Sequence, residues 1–505
     1  MSGETDEDPG PDLAAGVPAS DVPEGGKLAG HVGDDAVMVA RVGGELFAIG
    51  AHCTHYHGPL ADGLIVGHTV RCPWHHARFC LRTGEALGAP AIDPVGCWTV
   101  EERDGRVFVR APSEAPAKPK ASSAARRIVV AGGGAAGFAA AEMLRRNGFD
   151  GAVTIVSSDE TAPYDRPNCS KDFLAGTAPA EWMPLRGDDW YGDNEIDLKL
   201  RAEIVKLDPR ERTVALSGGE TLPYDALVLA LGAEPRRLPL PGFDGPDVRL
   251  LRSLADAEAI IKAAEGAKRV AIAGASFIAL EVAASLRHRG LEVHVVAPEA
   301  VPLARNLGDD VGGWVRRVHE ENGVIFHLGA KIEGWRDRLL VFDGGSVAAD
   351  LLVAGTGVAP RTALAEAAGL KVDNGIVVDA SLRASAPGVY AVGDLARYPY
   401  ARSGDLIRVE HWVHAERQGQ HAARAILGDH APYADTPFFW SVHHGATINY
   451  VGHAADFDPP AVEGSLDKQD AAVKLSKGGK LLAVATIGRD LESLSAGAAL
   501  EMSTA

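Results

Sequence analysis

A chain of 505 residues, 46% hydrophobic and 23% charged, is long enough for roughly three domains of about 150 residues and has the balance of a globular protein. Its formal net charge of −18 argues against nucleic acid and anionic membrane as partners, because both reward basic patches. Five cysteines make no disulfide framework and suit a reducing compartment, so a cytoplasmic location is expected.

The first 27 residues are acidic and rich in Pro and Gly. They lack the basic start and apolar core of a signal peptide and are expected to be disordered. Residues 28–112 contain short alternating runs, AVMVARV, ELFAIG and RVFVRAP, the pattern of half-buried strands separated by turns. A Pro/Ala/Lys/Ser linker follows at 113–125. RRIVVAGGGAAGFAAAEMLRRNG and GAVTIVSS then read as strand, Gly-rich turn, helix and strand, the opening of a βαβ unit. The pattern recurs at RVAIAGASFIALEVAASLRHRG and LEVHVVAPE, with further strands at YDALVLALGA, DLLVAGTG and GVYAVGD. From residue 434 the texture returns to strands, as in FFWSVHHGATINYVGHA. The expected architecture is multidomain. A small all-β domain (28–112) precedes two interleaved α/β dinucleotide-binding domains, one split between 126–246 and 373–433 and the other at 247–372. An α+β interface domain closes the chain at 434–505. The apolar run at 128–141 is broken by glycines and too short to span a bilayer.

Chemistry concentrates first in CTHYHGPLADGLIVGHTVRCPWHHARF, residues 53–79. Cys53, His55, Cys72 and His75 place one thiol and one imidazole in each of two loops, a ligand set for zinc or for the irons of a [2Fe–2S] cluster. Zinc fingers group like with like. A Cys and a His in each loop suit a two-iron cluster in which one iron takes both thiolates and the other both imidazoles. His57, His68 and His76 are read as surface or supporting histidines. The stretch resembles the Rieske family, with Gly58 and Pro73 where its loops turn tightly. It departs from the high-potential members. No additional loop cysteines are present, since Cys80 and Cys97 lie outside the loops. Ala77 and Phe79 stand where those members carry a Ser and a Tyr hydroxyl bonded to the cluster sulfurs. Fewer donors disfavour the extra electron, so a potential at the low end, roughly −150 mV, is expected.

Gly132, Gly134 and Gly137 form G-x-G-x-x-G between a strand and a helix. The first makes the turn, the second admits a pyrophosphate and the third lets helix and strand pack. Asp159 and Glu160 are the candidates for the ribose hydroxyls, with Asp159 favoured. The second turn keeps Gly274 but has Ser276 and Ala279 at the other two positions. Glu299, just past the next strand, favours NADH over NADPH, the alternative that Arg305 leaves open.

PYDRPNCSK (163–171), Thr356-Gly357, VYAVGD (389–394) and RVEHWVHAERQGQHAA (408–423) make residues 126–505 similar to the FAD-dependent pyridine nucleotide oxidoreductases of the ferredoxin-reductase and apoptosis-inducing-factor-like group, which have a glutathione-reductase-like fold. With a Rieske module in front, the chain resembles the apoptosis-inducing-factor 3-like branch. The resemblance implies that Gly393 and Asp394 hold FAD and that Arg166 contacts the flavin. It implies that Lys171 lies near the reactive flavin nitrogen with Glu281 as its partner, and that Glu410 and Trp412 close over the ring. Trp412 and Trp440 equally fit core aromatics. Cys169 is the sole cysteine after residue 97, so no internal dithiol can form.

The function expected is an NAD(P)H-dependent oxidoreductase. It would pass a hydride to FAD and single electrons through the fused cluster to a redox partner protein such as a ferredoxin, cytochrome or oxygenase, as a monomer or homodimer. The linker would let the Rieske domain swing. The alternative is a redox-responsive interaction protein with slow turnover.

Overall fold

The computed structural model describes residues 10–113 and 123–503. They form two compact units. The first holds the described residues up to 113 together with those from 489 onward, and the second holds 123–488. Residues 114–122 of the expected linker lie outside the described residues, as do residues 1–9.

The first unit is built on a six-stranded antiparallel sheet in the order Val17–Pro18, Arg106–Pro112, Cys97–Arg103, Glu45–Gly50, Asp35–Val42, Lys27–Val32. A four-stranded sheet is formed by Leu64–Val66, Thr69–Arg71, Arg78–Cys80 and Ala86–Gly88. Strand Asp35–Val42 buries both of its faces. Met38 and Ala40 pack with Phe79 and Leu60, while Val37 and Val39 pack with Leu13, Val17, Val107 and Val109. That second face explains why residues 10–27, expected to be disordered, are ordered. Leu13 is fully buried, its N–H donates to His31 O, and its carbonyl accepts from Val109 N–H. Without this segment the valines would present an apolar sheet face to water.

The second unit carries three five-stranded sheets. One is parallel, in the order Ile196–Lys199, Ala152–Val156, Arg127–Ala131, Ala226–Leu229, Val389–Ala391. Another is parallel, in the order Val248–Arg249, Leu351–Ala354, Arg269–Ala273, Glu292–Ala297, Val324–Leu328. These are the two dinucleotide-binding folds. Helices Ala135–Arg146 and Trp412–Ile426 meet where a Cβ on Gly419 would stand 2.1 Å from Ala136 O, so this close crossing requires glycine. The third sheet is antiparallel, in the order Phe438–His443, Ala446–Gly452, Lys480–Ile487, Asp470–Lys477, Ala461–Ser465. Its inner face shares one core with helix Phe277–His288. The expected C-terminal domain at 434–505 is corrected in one respect. Its last helix, Asp490–Met502, belongs to the first unit.

Candidate functional site

In the first unit the two Cys/His loops share one construction. Cys53 N–H donates to Gly58 O and His57 N–H returns to Cys53 O; Cys72 N–H donates to Ala77 O and His76 N–H returns to Cys72 O. His57 and His76 are both left-handed, with φ of 58° and 60°. Each sulfur receives two backbone N–H groups, from His55 and Tyr56 at Cys53 and from Trp74 and His75 at Cys72. The two thiols face each other closely enough to interact. That interaction holds the Cys53 thiol below its ordinary range, while the same interaction and burial push that of Cys72 up.

The imidazoles of His55 and His75 meet edge to face, with ring centroids 5.0 Å apart. Burial holds His55 neutral, pushing its pKa down to about 3, and its Nδ1 is buried without a partner. The donors therefore meet two and two, thiol with thiol and imidazole with imidazole. Among the described residues no three such side chains converge on one point. The pairing of thiol with thiol and imidazole with imidazole fits a two-iron centre with two protein ligands per metal. Gly58 serves close approach rather than backbone conformation, since a Cβ there would lie 2.8 Å from Cys72 Sγ and 3.1 Å from Trp74 Cδ2. Ala77 and Phe79 are fully buried and bring no hydroxyl.

In the second unit the first Gly-rich turn has the expected form. Gly132 has φ 112° and lies against Ala230 O, and a Cβ on Gly137 would fall 1.9 Å from Gly132 O. Gly134 opens the helix, and the space a Cβ would fill there holds only the Arg166 guanidinium, at 3.8 Å. Arg166 pairs with Asp159 at 3.6 Å, and its Nε is buried without a partner. An open cradle with a cation at its rim and an unsatisfied donor fits a pyrophosphate. Gly393 has φ 76° and lies on Ala136, while its N–H donates to Gln418. Asp394, buried, accepts from Arg252 at 2.5 Å.

Lys171 and Glu281 meet at 2.9 Å. Ser170 and Ser441 hydroxyls each donate to Glu281 at 2.6 Å, and Ser441 continues to His443 and His443 to His319. Burial raises the Glu281 carboxyl, but Lys171 and these hydroxyls outweigh it and hold the group below its ordinary range. Lys171 also lies over the Trp440 ring, 5.6 Å from its centroid. Glu410 is exposed and pairs with Arg408 at 2.6 Å. Trp412 begins its helix and its indole donates to Glu416. Cys169 is buried, and burial pushes its thiol up to about 12.

At the second turn Gly274 has φ 102° and Gly357 φ 85°, with open space beside Gly357. Ser276 caps its helix by accepting from Ala279 N–H at 3.3 Å and donates to Gly355 O at 3.0 Å. Its hydroxyl occupies backbone groups that a glycine there would leave open. Ala279 packs against Gly355, and Glu299 is exposed. Sequence reasoning gave no role to Ser170, Ser441, Arg252 and Gln418, whose partners lie 111, 160, 142 and 25 positions away in the chain.

The pyridine nucleotide-disulphide oxidoreductase family model matches residues 126–419, and the Rieske [2Fe-2S] domain model matches residues 14–99. Apoptosis-inducing factor 3 of Homo sapiens is 31% identical over 91% of this chain and 79% of its own length. Rhodocoxin reductase of Rhodococcus erythropolis is 34% identical over 71% of this chain and 86% of its own. In the crystal structure of the covalent putidaredoxin reductase–putidaredoxin complex, the matched chain is 32% identical. It aligns over 76% of this chain and 94% of its own, with a TM-score of 0.72.

Proposed function

Because the chain belongs to the pyridine nucleotide-disulphide oxidoreductase family and carries a Rieske [2Fe-2S] domain ahead of it, we propose that it moves electrons from NAD(P)H through FAD and its own cluster to a separate acceptor protein. It is an FAD-dependent NAD(P)H oxidoreductase; the route through the cluster and the acceptor are the proposal. Bound flavin accepts electrons in pairs from a nicotinamide and can release them singly, and the cluster carries one at a time. The observation that carries the reading is the presence in one chain of the paired thiols and imidazoles of 53–75 and the two dinucleotide folds.

The residues take these roles. Gly132, Gly134 and Gly137 cradle the FAD pyrophosphate, with Arg166 at its rim and Asp159 at the ribose. Gly393 and Asp394 hold the polyol portion. Lys171, oriented by Glu281, supplies the cation that favours reduced flavin, and Glu410 and Trp412 flank the ring. Gly274, Ser276, Ala279, Gly357 and Glu299 border the nicotinamide dinucleotide, with NADH favoured. Cys53 and Cys72 bind one iron, His55 and His75 the other. Cys169 is the sole cysteine after residue 97, so the flavoprotein part carries no internal dithiol of the kind the family's name refers to. The acceptor is of the ferredoxin, cytochrome or oxygenase type. Relatives named as reductases of ferredoxin systems, such as that of the anthranilate 1,2-dioxygenase system, support a small redox protein. The low potential read from Ala77 and Phe79 stays part of this proposal.

The test is an anaerobic titration with NADH followed by visible and EPR spectra. Flavin bleaching with a reduced Rieske signal is expected. Bleaching while the cluster stays oxidised overturns the internal route and favours the redox-responsive interaction reading, which the likeness to apoptosis-inducing factor 3 across 91% of the chain keeps in play.

A further inference from the structure

The second ligand loop, 72–77, is the end of a hairpin whose base pairs two arginines. Strand Thr69–Arg71 runs antiparallel to Arg78–Cys80, and Arg71 stands directly opposite Arg78. Like charges in directly opposed positions repel and open a hairpin. Here a carboxylate from the far end of the chain bridges them. Glu501 places Oε2 2.7 Å from Arg71 Nη2 and Oε1 2.6 Å from Arg78 Nη2. All three side chains are largely buried, at 10%, 18% and 19% exposure, so solvent screens the triad little. On the same helix, Ser493 is fully buried and its Oγ lies 3.2 Å from Nε2 of His76, the left-handed residue beside His75. Ser493 and Glu501 are eight residues apart, two i→i+4 steps along one helix face.

We infer that helix Asp490–Met502 is part of the cluster site, with Glu501 and Ser493 as positioning residues that clasp the second ligand loop, and with Glu501 setting the local charge the cluster experiences. This rests on reading 53–75 as the cluster loops. Arg71 is bonded to Cys72 and Arg78 follows His75 by three residues. A positive charge near a cluster favours its reduced form and a negative charge disfavours it.

The test uses the full chain and begins with iron content and the EPR signal of the unaltered protein. Absence of both there defeats the cluster reading and leaves the clasp to be judged by amide hydrogen exchange of 72–77, which needs no cluster. In Glu501→Gln that exchange is expected to rise severalfold; no change overturns the clasp. With the cluster present, potentiometric EPR is read on Glu501→Gln, Arg78→Gln and the double variant. Glu501→Gln is expected to raise the cluster potential, Arg78→Gln to lower it, and the double variant to return towards the starting value. Iron lost in Glu501→Gln and regained in the double variant supports the same conclusion. Unchanged potentials in both single variants, or shifts of one sign that add in the double, overturn it.

Discussion

A methyl group on residue 58 would stand 2.8 Å from Sγ of Cys72, a distance real Cβ atoms do not adopt, with Trp74 closing the other side. The two loops would have to part, and the thiols would no longer meet. Gly58→Ala is therefore expected to lose most of its iron while keeping its flavin, read by metal analysis and visible absorption. In the second unit the residue with the most at stake is Glu281. Removing one member of a buried ion pair leaves the other charge unpaired and costs about 3 to 5 kcal/mol. Glu281→Ala should lower the denaturation free energy of this unit by about that amount. The pH dependence has a definite sign. Because the folded carboxyl is held below its ordinary range, its stabilisation is present above the unfolded value and is lost as pH falls through the folded one. Urea midpoints measured from pH 7 down to about pH 3 should fall more steeply for the unaltered protein than for Glu281→Gln. Lys171 and Glu281 were both readable in the sequence through the resemblance. Ser170 and Ser441 were not, because a serine carries no signal in sequence until the helical turn (Ser170) or the strand (Ser441) that bears it reaches the carboxylate.

Among the elements, the helices that open on Gly-rich turns show two ways of using a small residue. Helix Ala135–Arg146 begins at Gly134 with no side-chain cap, leaving its first N–H groups and the adjoining space available to a phosphate. Helix Phe277–His288 begins at Ser276, whose hydroxyl caps it from within. An N-cap serine contributes about 1 kcal/mol, so Ser276→Ala should lower stability by about that much in denaturant titrations. The elements themselves were legible. Strand, turn and helix alternate at both dinucleotide folds as the apolar periodicity predicts, because period and glycine placement are local properties. What local pattern misjudged was the segment 10–27. Its composition is that of a disordered tail, yet Leu13, Val17 and Val22 are buried because the sheet face they cover is apolar on that side too.

At the scale of the whole molecule the chain leaves the first unit before residue 123, builds the second, and re-enters the first after Gly488. The cluster-bearing unit is thus discontinuous, and its last helix is made only after everything else. A chain stopped after Gly488 is expected to retain flavin and lose iron, measured as the two cofactor contents of the purified protein. The linker at 113–125 is one of two covalent connections between the units. Shortening it is expected to slow reduction of an external acceptor and to spare flavin reduction by NADH, as rapid-mixing absorbance would report. Among the described residues, no helix is long and apolar enough to cross a membrane.

The sequence alone offered the proposed ligand set, because thiols and imidazoles at 53, 55, 72 and 75 are a local spacing. It determined the two dinucleotide folds, because a strand, a glycine turn and a helix are written in consecutive residues. It also placed a single cysteine, Cys169, after residue 97, because cysteines can be counted. Tertiary structure decided which distant groups serve those sites. Ser441 reaches Glu281, Arg252 reaches Asp394, and Glu501 reaches Arg71 and Arg78 across 430 and 423 positions of chain. The physical reason is the same in each case. A buried charge or hydroxyl must find a partner, and which partner lies within 3 Å is settled by how the sheets and helices pack, not by neighbours in sequence.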